Sequence, residues 1–487
     1  MTFATLPDRR AAAEPGAAAV ADSNQALTNV DLLARVRSVA AQLGQLGIGT
    51  DDVVALRLTN RVEFVVLLFA AWRIGATLTP VNPALTSGEV ARQLADSGAR
   101  LLVIEDDSDP VESIACLPVS ELRYDLATTD DAAVVDDPER LALLIYTSGT
   151  TGVPKGVMLD HANLDAMTEM GREGLKLGPT DRCLLILPLF HVNGIVVSIL
   201  SPLLVGASVV IAERFNPATF FETVEKVRPT FFSAVPTIYS MLAALPGEIQ
   251  PDTSSVRFAV CGAAPAPAEL LTKFEMRYGF PLVEAYGLSE ATCGSAINPV
   301  DGIRKAGTVG LPFPGQELRI VSLDGTTLPQ GEVGEVVVSG PNVMRGYLGR
   351  PEETAAVLTD GWLRTGDIGF LDEDGYLTIA GRSKDMIIRG GENIYPKEIE
   401  DVLAQHPDVV GAAVIGEPDE KWGEVVVAFV QLRPGASVEV ESLKALCREH
   451  LSGYKRPTAI RVMEALPTNA VGKLDKNSLR SVAATKV

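Results

Sequence analysis

The stretch "YTSGTTGVPKGVML" occupies residues 146–159, and its reading decides the fold. Its first eleven residues hold three glycines, four Ser/Thr hydroxyls and one lysine, set between the apolar runs "LALLI" and "VML". Glycine tolerates positive φ and close main-chain approach, so backbone N–H groups of such a turn can converge on a phosphate. Thr147, Ser148, Thr150 and Thr151 add donors, and Lys155 adds a charge. A Walker loop would need G-x-x-x-x-G-K-[ST] opening a helix. Here the lysine follows Pro154, precedes Gly156 and leads into a strand-like run, so the Walker geometry fails. What remains is a phosphate cradle between two strands.

On either side of the cradle, apolar β-rich runs alternate with helical patterns, as parallel βαβ units do. "DVVALRL", "RVEFVVLLFAAWRIG", "TLTPVNP", "TSGEVARQLADSG" and "RLLVIED" precede it; "RCLLILPL", "SVVIAE", "NPATFFETVEKVR", "PTFFSAVP", "SVRFAVCGAA", "APAELLTKFEMRYG" and "PLVEAYG" follow. From about residue 318 to 388 short strands separated by Gly and Asp turns predict an antiparallel, barrel-like section. The last hundred residues or so read as a compact α+β module with its own core. The expected organisation is an α/β N-terminal domain over residues 1–382, built of layered α/β subdomains plus the barrel-like section. A small α+β C-terminal domain over residues 383–487 follows it.

Net charge is −20 and the sequence pI about 4.7, which disfavours nucleic acid and anionic membrane as partners. Five cysteines without paired spacing suggest neither a zinc site nor a disulfide framework, and a reduced, cytoplasmic setting is expected. The uncharged run "IVVSILSPLLVGASVVIA" (residues 195–212) is interrupted by Pro202 and Gly206 and reads as buried helix, turn and strand, not as a membrane span.

"YTSGTTGVPKG" resembles the phosphate-loop signature of the AMP-forming acyl-CoA synthetase superfamily, which also holds nonribosomal adenylation domains and beetle luciferases. "PLFHVNG", "GAAP", "YGLSE", "RTGD", "GRSKD", "GGENIYPKEIE" and "VGK" follow in the family's order, so the resemblance covers nearly the whole chain. It implies a two-step reaction with ATP, Mg²⁺ and coenzyme A. A carboxylate attacks the α-phosphate to give an acyl-adenylate and pyrophosphate, and a thiol then displaces AMP. By resemblance Thr147, Ser148, Gly149, Thr150, Thr151, Gly152 and Lys155 meet the leaving pyrophosphate, with Thr151 counted as catalytic. Glu290 supplies the Mg²⁺ carboxylate, and Ser289, where the family usually has threonine, keeps a hydroxyl toward the α-phosphate. Gly262, Ala263, Ala264, Tyr286 and Gly287 receive adenine, while Asp367 and Arg382 approach the ribose and Asn393 the nucleotide. Lys473 acts in adenylation, Lys384 is the hinge of a mobile C-terminal domain, and Gly390, Gly391 and Glu392 face the CoA tunnel. His191 is the aromatic that gates the acyl pocket and is counted with the catalytic residues.

The acyl pocket is expected from His191, Val192, Asn193, Val235, Ala264, Gly287 and Cys293. These are mostly apolar or small, so a small to medium-chain or aromatic acid with a neutral tail is the simplest substrate. The tract around "YGLSE" resembles the branch with malonyl-CoA and oxalyl-CoA synthetases. Malonate-type members carry arginine just before "YG", where this chain has Ala285, which leaves an oxalate-like short dicarboxylate as an alternative involving Arg304 and Lys305. A stand-alone adenylating enzyme that loads a carrier protein is a further alternative, and monomer and homodimer both stay open.

Overall fold

The computed structural model describes residues 2–126, 134–148, 154–264, 266–322, 324–468 and 474–484. They form two compact units, Met1–Leu318 with Val338–Leu363, and Arg319–Val337 with Arg364–Val487.

The first unit contains a nine-stranded sheet. Its order is Leu311–Pro312, Ala296–Ile297, Leu282–Tyr286, Phe258–Cys261, Phe231–Ala234, Arg182–Leu185, Ser208–Ile211, Ala18–Ala21 and Ala26–Thr28. From Leu282–Tyr286 to Ala18–Ala21 every pairing is parallel, and the flanking pairings are antiparallel. Side chains alternate between the faces of a strand. Phe232, Ala234, Ala259, Cys261 and Leu282 therefore share one face, where they pack on Val224, Tyr239, Leu271, Phe274 and Tyr278 from three helices. Ser233, Val260 and Ala285 fall on the other.

A seven-stranded sheet holds the opening motif. Leu141–Ser148 and Pro154–Asp160 pair antiparallel with Thr147 opposite Lys155, so the two ends of the motif are strands, as predicted. Leu141–Ser148 continues in parallel into Thr77–Pro80, Val53–Arg57 and Ala99–Ile104. The helix Val62–Arg73 is apolar almost all round, and only Glu63 of its residues is not buried, which is the environment such a helix requires. Its Trp72 Nε1 donates to Ala142 O at 2.9 Å.

The uncharged run resolves into Val192–Ile195, a π-helical turn Val196–Leu200, the helix Ser201–Leu204, a left-handed Gly206 and the strand Ser208–Ile211. No helix among the described residues is long and apolar enough to cross a membrane.

The antiparallel section is a five-stranded sheet of Glu317–Val321, Gly334–Ser339, Trp362–Leu371 and Leu358–Thr359, with Leu377–Arg382 paired to Trp362–Leu371. In the second unit the C-terminal module is a further five-stranded sheet built on the long hairpin Val409–Asp419 and Gly423–Leu432. Its own core runs from Ile387 and Ile399 through Val414 and Val426 to Leu443 and Ile460.

Candidate active site

In open α/β sheets ligands bind beyond the carboxyl ends of the strands. The sequence-predicted residues gather there on adjacent parallel strands. His191 and Asn193 follow Arg182–Leu185, Val235 follows Phe231–Ala234, residues 262–264 follow Phe258–Cys261, and Gly287 follows Leu282–Tyr286. Gly262 is buried, and a Cβ there would lie 3.3 Å from Ala285 O, while Ala263 has φ 67. Gly262 thus lies close against the strand that ends in Tyr286, while Ala263 and Ala264 are exposed.

The turn after Tyr286 is tightly wound. A Cβ on Gly287 would come within 1.7 Å of Cys293 O, so only glycine fits. Thr292 and Cys293 both lie in the left-handed region, at φ 51 and φ 99. Between them and Gly287 the 3-10 turn Ser289–Ala291 carries Glu290, whose Oε1 accepts from Tyr347 Oη at 2.9 Å and whose main-chain O accepts from Met344 N at 2.8 Å. Among the described residues no group of three His, Cys, Asp or Glu is gathered. A cation here would therefore share its shell between the one carboxylate and ligand oxygens, which suits Mg²⁺ with phosphate and water.

Lys155 pairs with Glu353, and its Nζ lies 4.9 Å above the Tyr347 ring. Burial, and then the Glu290 charge, push the Tyr347 phenol well above its ordinary range, so it stays a donor. Tyr347 and Glu353 belong to the stretch "GYLGRPEE", which sequence reading passed over. The hydroxyl and carboxylate there carried no distinguishing spacing. Thr147 lies opposite Lys155 near the end of its strand. Ser148 is placed by its backbone alone, and Gly149, Thr150, Thr151 and Gly152 lie outside the described residues.

On the acyl side, His191 stands half-buried at the start of the turn Val192–Ile195, its ring 4.5 Å from Phe190. Burial pushes the Cys293 thiol up to about 12, against a smaller opposing pull from Asn193. Asn193 Oδ1, Ser233 Oγ and Ser295 Oγ are buried without a hydrogen-bond partner among the described residues. Buried polar atoms seldom stay so. Arg304 and Lys305 lie elsewhere. They line a cavity of about 220 Å³ with Thr272, Glu275 and Glu284, on the helix-covered face of Leu282–Tyr286, and Arg304 pairs with Glu275 at 3.3 Å.

The second unit holds the remaining residues. Asp367 and Arg382 are cross-strand partners joined by an ion pair of 3.0 Å, with Asp367 buried and Arg382 exposed. Lys384 lies in the 3-10 turn Ser383–Asp385. Asn393 is exposed on Glu392–Ile394. Gly390 and Gly391 turn with φ 61 and φ 89, and a Cβ on Gly390 would lie 3.0 Å from Trp422. With Glu392, Arg389, Trp422 and Tyr454, Gly390 lines a cleft of about 320 Å³. Arg389 lies 5.6 Å and Lys421 Nζ 4.9 Å from the Trp422 ring. An exposed indole beside cations is a place for a flat, anionic ligand. Sequence reading found the glycines but not Trp422 or Tyr454, which lie 31 and 63 residues beyond Gly391. Lys473 is outside the described residues.

The family model described as AMP-binding enzyme matches residues 7–348, and that of the AMP-binding enzyme C-terminal domain matches residues 398–473. A feruloyl-CoA synthase from Amycolatopsis sp is 40% identical, with 97% of each chain covered. An oxalate–CoA ligase from Arabidopsis thaliana is 37% identical, covering 97% of this chain and 95% of its own. Among solved structures, o-succinylbenzoate coenzyme A synthetase (MenE) from Bacillus subtilis, in complex with ATP and magnesium ion, superposes with a TM-score of 0.89 at 33% identity. That match covers 98% of this chain and 99% of that one.

Proposed function

The chain belongs to the AMP-binding enzyme family and is an AMP-forming acid–CoA ligase that uses ATP, Mg²⁺ and coenzyme A. On that premise we propose that its acid is a neutral-tailed aromatic carboxylic acid bearing a hydrogen-bonding substituent. The observation that carries this reading is the set Asn193 Oδ1, Ser233 Oγ and Ser295 Oγ, buried without partners near the strand ends where the acyl group is expected. A substrate hydroxyl could donate to Asn193 Oδ1, and a hydroxyl or methoxy oxygen could accept from the Ser233 and Ser295 hydroxyls, relieving polar atoms that otherwise bear a desolvation cost. The feruloyl-CoA synthase relative supports the same class. A short dicarboxylate is less well served, because Ala285 brings no charge and Arg304 is neutralised by Glu275 on the helix-covered face.

The residues divide the work as follows. Lys155 and the donors of residues 147–152 take the charge that develops on pyrophosphate, and Lys473 takes that on the α-phosphate and attacking carboxylate. Glu290 holds Mg²⁺, which supplies charge neutralisation at the phosphates. Tyr286, with residues 262–264, receives adenine; Asp367, with Arg382, receives the ribose. His191 closes the acyl end. In the second step the cleft of Arg389, Gly390, Trp422 and Tyr454 receives the nucleotide end of CoA, its indole and phenol stacking adenine and its cations meeting phosphate.

The test is acid-dependent ATP–pyrophosphate exchange over a panel of acids, followed by thioester detection with free CoA or a carrier protein. Hydroxylated or methoxylated benzoic and cinnamic acids should give kcat/KM at least about 10-fold above their unsubstituted parents, as expected where unpaired buried polar groups penalise the bare ring. Higher kcat/KM with oxalate or malonate would replace the aromatic reading. Adenylate without CoA thioester would point to a carrier-protein acceptor.

A further inference from the structure

The segment "GPNVMRGY" (residues 340–347) lies about fifty residues beyond Glu290 in the chain, yet it clamps the turn that carries Glu290. Asn342 is fully buried, and its amide nitrogen bonds that turn. Nδ2 donates to Ala291 O at 2.8 Å and to Gly294 O at 3.1 Å, while Oδ1 accepts from Gln316 Nε2 at 3.1 Å. The Asn342 main-chain O accepts from Thr292 Oγ1 at 2.6 Å. Those two carbonyls bracket Thr292 and Cys293, whose left-handed backbone is rare for residues bearing a Cβ and persists only where surrounding bonds over-determine it. The seat is specific, since a Cβ on Gly340 would lie 2.8 Å from Asn342 Oδ1.

The same segment ends on Tyr347, which acts on both charged groups of the phosphate site. Its hydroxyl donates to Glu290 Oε1, and its ring lies under Lys155 Nζ. The short strand Gly346–Tyr347 is itself paired to Pro154–Asp160, with Tyr347 opposite Val157. One segment therefore joins the carboxylate of the turn Ser289–Ala291 to the lysine of the strand Pro154–Asp160.

We infer that Asn342 and Tyr347 are positioning residues of adenylation: Asn342 holds the strained turn 291–294 in place, and Tyr347 orients the Glu290 carboxylate toward Mg²⁺ and registers it against Lys155. The inference rests on Glu290 as the Mg²⁺ carboxylate. Electrostatic stabilisation works when charges are in place before the reaction, and groups that orient a metal-binding carboxylate govern metal affinity.

The decisive variant is Tyr347→Phe, which keeps the ring over which Lys155 lies and removes only the donor. Three measurements are made on full-length chain with an accepted acid. First, the Mg²⁺ concentration for half-maximal ATP–pyrophosphate exchange should rise about 10-fold. Second, calorimetric ATP binding without acid should lose most of the affinity that Mg²⁺ adds in the parent. Third, thioester formation from supplied acyl-adenylate and CoA, which has no triphosphate to neutralise, should change less than about 2-fold. Asn342→Ala should shift the Mg²⁺ titration in the same direction, and Glu290→Gln is the reference. A folded Tyr347→Phe whose Mg²⁺ titration matches the parent, while that of Glu290→Gln moves, overturns the positioning role and leaves Glu290 assigned. Equal slowing of both half-reactions overturns it as well, since general damage produces that pattern. An unmoved Mg²⁺ titration in Glu290→Gln removes the metal assignment and the inference together.

Discussion

His161 opens the helix His161–Gly174 with its ring edge-on to Trp72, the centroids 5.2 Å apart, and only 2% of its surface exposed. Burial holds its pKa at about 4, below the ordinary 6.5, against the opposing pull of Asp136 and Asp137. The unfolded chain thus binds the extra proton at a higher pH than the folded one. The stability this neutral ring contributes is complete above pH 6.5 and is lost as pH falls through about 4. We expect the gap in unfolding free energy between the parent and His161→Phe to shrink by about 3 kcal/mol between pH 7 and pH 4, measured by urea denaturation at each pH. A gap independent of pH would contradict a neutral buried imidazole. At this scale sequence legibility was uneven. Residues 286–290 announced themselves as "YGLSE", but nothing local marked His161 as buried or Tyr347 as a partner of Glu290, since both facts depend on what packs against them.

The helix Ser87–Ser97 shows what an element reveals in sequence. "TSGEVARQLADSG" carries a Thr-x-x-Glu start and a glycine stop, and both work as local chemistry requires. Thr86 Oγ1 accepts from Glu89 N, Glu89 Oε2 accepts from Thr86 N at 2.8 Å, and Gly98 ends the helix at φ 65. Thr86→Ala should cost about 1 kcal/mol in denaturant unfolding and leave ATP–pyrophosphate exchange unchanged. An altered exchange rate would mean that this helix influences the site. The π-helical turn Val196–Leu200 is the opposite case. Its apolar residues read as helix, but the wider turn, seen in the Ser201 backbone N–H donating to Val196 O, is not encoded in their spacing. Such turns recur at functional sites, and this one follows His191 directly.

For the whole molecule the strongest prediction separates the two half-reactions. Lys473→Ala should abolish acid-dependent pyrophosphate exchange and spare thioester formation from supplied acyl-adenylate, whereas Lys384→Pro, which locks φ at the proposed hinge, should do the reverse. Equal loss in both assays for both variants would contradict a C-terminal domain that serves the steps in turn. The order of motifs along the chain, the α/β class and the separate core of the C-terminal module were all legible in the sequence, because residue type, glycine placement and hydrophobic period are local properties. Tertiary structure alone decided which strands are neighbours, for instance that Ala18–Ala21 pairs with Ser208–Ile211 across nearly two hundred residues. It also decided that Arg304 answers Glu275, and that Tyr347 joins Glu290 to Lys155. Periodicity tells a strand which face to bury but not which strand to lie beside, so contacts made across strand order and register exist only once the chain has folded.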